Sequence, residues 1–215
     1  MKSENATSEN ADPSFWDRHA EKYSRRQIKN MPAYEQTMDR VRSYLKPTDN
    51  VLEVGCGTAS TALLLSPEVA HITASDLSSK MIEIGRGKAR KSGTENIDFV
   101  VGTPFSDAFT PGSYDAVMGF SFLHLVEDLP ATLRRIHELL KPGGLLISKT
   151  ICIAEQTRLW AIPIGLMRFF GYAPYVNLLM ARDLERAMRD AGFEITETGY
   201  YPRKPPARFV VARRV

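Results

Sequence analysis

The stretch Val51-Leu52-Glu53-Val54-Gly55-Cys56-Gly57-Thr58-Ala59-Ser60 constrains this chain more than any other: an apolar run ends in an acid and two spaced glycines, and a helical pattern follows. It reads as strand, tight turn and helix. β-Branched residues suit a buried strand, and glycine lets the turn adopt positive φ and approach a ligand closely. A second apolar run, His71 to Ser75, ends at Asp76, nineteen residues past Gly57. A carboxylate there lies where a ribose crosses the edge of an open α/β sheet. Glu53 sharpens the reading, because an acid in a strand's last turn is costly without a hydrogen-bonding or cationic partner. A dinucleotide loop turns backbone N–H groups toward a pyrophosphate, and an adjacent anion opposes that. A cationic nucleoside reverses the preference.

A chain of 215 residues with 43% apolar and 25% charged side chains suits one globular domain with a sizeable core. Its two cysteines, Cys56 and Cys152, are too few for a disulfide framework and lack metal-site spacing, so no metal is expected. Residues 1–13 are polar and read as a frayed tail, without the apolar centre of a signal peptide. No run reaches the roughly 18 apolar residues of a spanning helix. The expectation is a cytoplasmic protein. Net charge is +3, and residues 151–215 hold ten basic against six acidic side chains, which makes the C-terminal third the basic part.

In chain order, Ser14 is a candidate N-cap with Asp17 in the capping-box position, and Phe15, Trp16, His19, Ala20 and Tyr23 share one helical face. A second helix is predicted over Pro32 to Leu45. Thr58 to Leu65 forms the helix after the glycine turn, and Ser78 caps a helix that closes at Gly93. Ile97 to Val101 is the third strand and Ser113 to Met118 the fourth, which leads into Gly119-Phe120-Ser121-Phe122-Leu123-His124. Its C-terminal end lies beside the first strand in a doubly wound sheet, and His124 is the first side chain there with a pKa suited to proton transfer. A helix over Leu129 to Leu140, a Lys141-Pro142-Gly143-Gly144 turn and a strand at Leu145 to Ser148 follow. The apolar stretch Leu159 to Met167, broken by prolines and glycines, reads as short helices. A helix over Arg182 to Asp190 and strands Phe193 to Tyr201 and Arg208 to Arg213 complete the pattern.

Glu53-x-Gly55-x-Gly57, with Ala59 where a third glycine usually stands, resembles the first-strand motif of the class I S-adenosylmethionine-dependent methyltransferases. Trp16-Asp17-x-x-Ala20-x-x-Tyr23 and the Lys-Pro-Gly-Gly turn are similar to other signatures of that family. The likeness runs over about residues 13 to 150 and is nearest to the small-molecule branch that includes the quinone-biosynthesis methyltransferases. It implies a Rossmann-like α/β fold with a doubly wound seven-stranded sheet, order 3-2-1-4-5-7-6, last strand antiparallel. It also implies N-terminal helices over 14–46 and a helical lid inserted at about 153–181, all within one domain, 14–215.

By the same resemblance, Glu53 and the backbone near Gly55, Gly57 and Gly119 hold the amino-acid end of the cofactor, with Phe120 beside them. Asp76 takes the ribose, Leu77 and Met81 flank the adenine, and Thr103, Pro104 and Phe105 follow the third strand. Thr103 stands where the family commonly places an acid, with Asp107 as a possible substitute. Tyr23 is both a cofactor-side wall and a candidate catalytic group, second to His124. The implied cofactor is S-adenosyl-L-methionine, released as S-adenosyl-L-homocysteine. The apolar lid suits a partly apolar acceptor, such as a lipid headgroup, quinone, polyketide or thiol, or a peripheral membrane contact anchored by Arg158 and Arg168.

Two alternatives stay open on the residues alone. An NAD-dependent oxidoreductase uses a related scaffold, but Glu53 and the two leading helices disfavour it. A methyltransferase-like domain that has lost activity and serves as a binding or membrane-associated protein accommodates Ala59 and Thr103. A nucleic-acid substrate is disfavoured, because no Asn-Pro-Pro-Tyr motif follows the fourth strand and the basic residues lack an interleaved aromatic platform.

Overall fold

The computed structural model describes residues 12–155, 173–204 and 206–215. Most of the expected tail and the apolar stretch with Arg158 and Arg168 lie outside the described residues.

The elements in chain order are α1 (Ser14–Ser24), α2 (Met31–Arg42), β1 (Asn50–Val54), α3 (Ser60–Leu65), β2 (His71–Asp76), α4 (Ser79–Ser92), β3 (Ile97–Val101), β4 (Tyr114–Phe120), α5 (Leu129–Leu139), β5 (Leu140–Ile151), α6 (Ala181–Asp190), β6 (Phe193–Tyr200) and β7 (Ala207–Arg214). They build one seven-stranded sheet of order β3-β2-β1-β4-β5-β7-β6, the order that the family resemblance implies. β1 pairs in parallel with β2 and β4, whereas β7 runs antiparallel to both β5 and β6. Strand order reverses between β1 and β4, so their C-terminal ends open the crevice in which α/β sheets bind ligands.

Alternation along the strands divides the core between two faces. Leu52, Val54, Val117 and Leu146 meet α5 and α6 through Leu133, Ile136, Leu184 and Met188. Val51, Met118 and Ile147 meet α2, α3 and α4 through Met38, Val41, Leu65 and Ile82. On α5 the spacing Leu129, Leu133, Ile136, Leu139 makes one continuous buried stripe. Each such side chain contributes about 1.5–3 kcal/mol by leaving water. Asp128 caps that helix through the Ala131 amide at 2.8 Å, and Ser78 caps α4 through Met81 N at 3.1 Å, as its sequence position implied.

Several boundaries differ from the sequence reading for local reasons. Ser14 does not cap α1; Asp12 precedes the helix and accepts from the Ser14 amide and hydroxyl at 2.8 and 2.7 Å. Asp17 is not a capping-box acid, because it crosses to α4. Phe15 and Trp16 are half-buried rather than core, and Ala20 is the buried residue of α1. α3 begins at Ser60 instead of Thr58 because Ala59 adopts a left-handed conformation, φ 56°. β5 extends back through the Lys-Pro-Gly-Gly stretch, where Lys141 pairs with Asp115 at 2.8 Å and the register with β4 shifts between Tyr114 and Ala116.

The left-handed Ala59 is fully buried, and its methyl group lies against Gly85 of α4. A Cβ on Gly85 would sit 2.9 Å from Phe99 Cε1 and 3.2 Å from Ala59 Cβ, while a Cβ on Gly87 of the same helix meets nothing within 4 Å. Two glycine-to-alanine changes two residues apart therefore have opposite signs. Gly87→Ala should stabilise by about 0.5–1 kcal/mol through helix propensity, and Gly85→Ala should destabilise by about 1–3 kcal/mol through overpacking. Urea denaturation of both variants measures this; the same sign for the two would contradict the packing of α4 on the glycine turn.

Candidate active site

Three elements converge on the turn after β1. Gly55 and Gly57 both take positive φ, 64° and 54°, which the tight strand-to-helix turn requires. Asp76, at the end of β2, braces that turn: one carboxylate oxygen accepts from Gly57 N at 2.8 Å and the other from Ser78 N at 2.9 Å. Each oxygen keeps lone-pair capacity toward the crevice. Burial nevertheless raises the Asp76 pKa above its usual range, outweighing the two amides that lower it. Ser78 also donates to Asp17 of α1 at 2.6 Å, and Lys80 N approaches the same oxygen at 3.3 Å. Asp17 thereby docks α1 against the start of α4.

That docking brings Tyr23 over the glycine turn. A Cβ on Gly57 would lie 3.3 Å from Tyr23 Cε1, so the ring rests on the glycine itself. Tyr23 keeps 42% of its surface exposed, yet desolvation of its hydroxyl, reinforced by Asp76 and Glu53, pushes the phenol above its ordinary pKa. A phenol so shifted serves as a hydrogen-bond donor better than as a base. On the other side Phe122 packs on two glycines at once: a Cβ on Gly55 would meet its ring at 2.6 Å and one on Gly119 at 3.5 Å. Sequence reasoning passed over Phe122, whose only local signal was an aromatic placed just beyond β4.

Glu53 is 2% exposed, and burial, with a smaller contribution from the Asp76 charge, raises its pKa to about 8 against the lowering effect of the Ala62 amide. Its Oε2 is buried without a hydrogen-bond partner. His124 is 6% exposed; desolvation lowers its pKa to about 4, and Nδ1 also lacks a partner. This corrects the expectation of a pKa near neutrality: the imidazole is a neutral, weak base. Its carbonyl accepts from Asn177 N at 2.7 Å, which ties the 173–180 stretch to the exit of β4. Ser148 and Thr150 of β5 complete the set of buried side chains with an unpartnered polar atom among the described residues. Glu53 and His124 lie at the β1 and β4 strand ends that open the crevice, whereas Ser148 and Thr150 alternate with Ile147 and so lie on the sheet face opposite Glu53.

The remaining expected residues divide. Leu77 is half-buried beside Asp76, and Met81, 2% exposed, is a core residue of α4. Thr103 holds a local turn by accepting from Phe105 N at 3.3 Å; Phe105 is half-buried. Pro104 is buried and its carbonyl is taken by Arg135 at 3.1 Å. Asp107, the possible substitute for Thr103, is exposed. Gly119 lies beside Ser148, and Phe120 beside Lys149. No group of His, Cys, Asp or Glu among the described residues has the arrangement of a metal site. No described helix is long and apolar enough to cross a membrane.

Residues 16–198 match the family described as "Methyltransferase domain". A demethylmenaquinone methyltransferase of Listeria welshimeri is 34% identical over 172 residues, 78% of this chain and 69% of that protein. A ubiquinone biosynthesis O-methyltransferase of Methylocella silvestris is 31% identical over 155 residues, 69% of this chain and 60% of its own. Among solved structures, geranyl diphosphate C-methyltransferase from Streptomyces coelicolor superposes with TM-score 0.69 at 17% identity, covering 85% of this chain and 79% of that one. The [4+2]-cyclase SpnF does so with TM-score 0.69 at 19% identity, covering 83% and 80%. A cyclase on the same architecture shows that the fold does not fix the reaction. The family match over most of the chain and the 34% identical relative show the family: the chain belongs to the class I S-adenosylmethionine-dependent methyltransferase family.

Proposed function

We propose that this methyltransferase acts on a small, partly apolar acceptor bearing an acidic oxygen, of the phenol or hydroquinone type. The names of its relatives, two of them enzymes of quinone biosynthesis, support the acceptor class. The observation that carries the reading is a pair of buried, unpartnered polar atoms at the two strand ends that open the crevice, Glu53 Oε2 on β1 and His124 Nδ1 just past β4. Orphaned groups of this kind are expensive in a finished core and are satisfied when a ligand supplies the partners.

The residues fit the cofactor. Glu53, at the base of the crevice, suits the cationic amino-acid end, with the backbone of Gly55, Gly57 and Gly119 beside it. Asp76 has spare acceptor capacity for two ribose hydroxyls, and Leu77 with the 103–105 turn offers a half-apolar wall for the adenine. Bound S-adenosylmethionine supplies an electrophilic methyl group on a sulfonium. The protein's own contribution is positional: Tyr23 and Phe122 flank the glycine turn and exclude water, and the neutral His124 accepts a hydrogen bond from the acceptor. Holding reactants in attack geometry supplies several kcal/mol of rate acceleration, on the order of 7–11 at best. The 173–180 stretch, anchored on the His124 carbonyl, covers the acceptor side.

The direct test is incubation of the purified protein with S-adenosylmethionine and 1,4-naphthohydroquinone, with mass spectrometry of the products. A methylated product is expected. Tight cofactor binding without methylation of this or any other phenolic acceptor would overturn the substrate class. Asp76→Ala should weaken cofactor binding by about tenfold or more when titrated calorimetrically, whereas His124→Ala should lower turnover and leave that affinity within about twofold.

Glu53 gives a pH signature with a defined sign. Its folded pKa of about 8 exceeds the ordinary value of 4.5. Between the two, the folded state keeps a proton that the unfolded state has lost, so ligand-free stability falls as pH rises through that window. The slope reaches at most about 1.4 kcal/mol per pH unit. Glu53→Gln should flatten the slope, match the parent near pH 5, exceed its stability at pH 8 and bind S-adenosylmethionine more weakly. Urea midpoints measured from pH 5 to 8 check the first three points and calorimetry the fourth.

A further inference from the structure

Among the described residues, Lys149 is a charged group near the C-terminal end of β5 that the mechanism above leaves unused. Its partners across the sheet are Phe120 of β4 and Phe209 of β7, and alternation puts it on the face of Ile147, which α2 covers. Its carbonyl also accepts from Ser121 N at 2.7 Å, fixing the chain as it leaves β4. The side chain is half-buried and donates one hydrogen bond, to Thr37 Oγ1 at 2.9 Å. Thr37 is fully buried and has committed its own proton to Ala33 O at 2.7 Å, so it is available to the ammonium as an acceptor.

Among the described residues no carboxylate pairs with Lys149, and loss of water alone lowers its pKa, to about 8, leaving it cationic at neutral pH. Other cations that reach inward are matched: Arg40 with Glu197, Arg208 with Glu185 and Lys141 with Asp115. Lys88 also lacks a carboxylate, but it divides itself between two hydroxyls, Thr58 and Ser60, on the far side of the glycine turn. A half-buried ammonium with two unused N–H bonds is unfavourable unless an anion arrives to meet it.

We infer that Lys149, steadied by Thr37, is an acceptor-binding residue whose ammonium receives an anionic oxygen, a phenolate or enolate, on the methyl acceptor. The inference rests on the proposed acceptor class and deepens it. Charge pairing in a partly desolvated setting favours the ionised acceptor, whose proton passes to water, and the resulting anion is the stronger nucleophile. Acceptors without an acidic oxygen gain nothing from the residue, so Lys149 discriminates by acidity rather than by shape.

The test needs no turnover. Protein saturated with S-adenosylhomocysteine is titrated at pH 7 with 2-hydroxy-1,4-naphthoquinone, a coloured anion at that pH, and with 1,4-naphthoquinone, its neutral counterpart. The parent should prefer the anion. Lys149→Met and Lys149→Gln should each lose about tenfold or more in affinity for the anion and nothing for the neutral compound, Lys149→Arg should retain most of it, and Thr37→Val should fall between. Calorimetric affinity for S-adenosylhomocysteine, unchanged in all variants, reports an intact fold. Equal binding of the anion by parent and both neutral variants, or no preference for the anion in the parent, overturns the inference while leaving the methyltransferase site standing. Failure of the parent to bind S-adenosylhomocysteine overturns the site reading and the inference with it.

Discussion

The bridge made by the Asp76 carboxylate, from Gly57 N at 2.8 Å to Ser78 N at 2.9 Å, holds together everything around the crevice. It joins the turn after β1 to the start of α4, two segments that parallel pairing of β1 and β2 brings near each other but does not fasten. Cys56 N donating to Ser75 O at 2.9 Å and Gly102 N to Asp76 O at 2.9 Å extend the same lacing to β2 and β3. Because charge-assisted bonds to backbone amides are the stronger sort, a single carboxylate fixes the turn geometry, and the Ser78–Asp17 contact then passes that order on to α1. The position of Tyr23 is a consequence: the helix that carries it is docked through Asp17.

Glycine at position 55 serves packing as well as conformation. Phe122 rests against it, and only the absence of a side chain there allows the ring to approach, whereas a Cβ on Gly119 would make ordinary contact with the same ring. Gly85 plays the equivalent part from α4, accommodating the methyl group of left-handed Ala59. The alanine in the motif is thus matched by a glycine in the facing helix. An αL alanine is strained by about 1–2 kcal/mol, and its fully buried methyl group offsets part of that.

Features set by local pattern were legible in the sequence. The glycine turn, the Ser78 cap and Asp76 at a strand end follow from periodicity, turn chemistry and spacing, whereas strand order came only from the resemblance to a family whose motif residues are close together in the chain. What escaped was tertiary. Asp17 looked like a capping acid because its partner, Ser78, is sixty-one residues away. Phe122 and Lys149 gave no signal because their meaning depends on which glycines or hydroxyls stand opposite. His124 was expected to have a pKa suited to proton transfer, but burial decides that pKa, and desolvation past the end of β4 lowers it to about 4.

The electrostatics of the crevice oppose the stability of the ligand-free protein. Two acids, Glu53 and Asp76, are held where burial raises their pKa values, and an ammonium, Lys149, where burial lowers its own. The acids and the base do not neutralise one another: loss of water is the largest cause of the shift in all three, and among the described residues Lys149 has no charged partner. Side chains that could have paired to mutual advantage are instead kept apart along one edge, acids toward β1 and β2, cation on β5. A fold selected for stability alone would replace them with apolar residues at little loss. Their separation makes sense if each awaits an opposite charge from outside, a cation for the acids and an anion for the lysine. On that arrangement the two reactants are sorted by charge before they meet, and the same desolvation that weakens the empty site strengthens its grip on both.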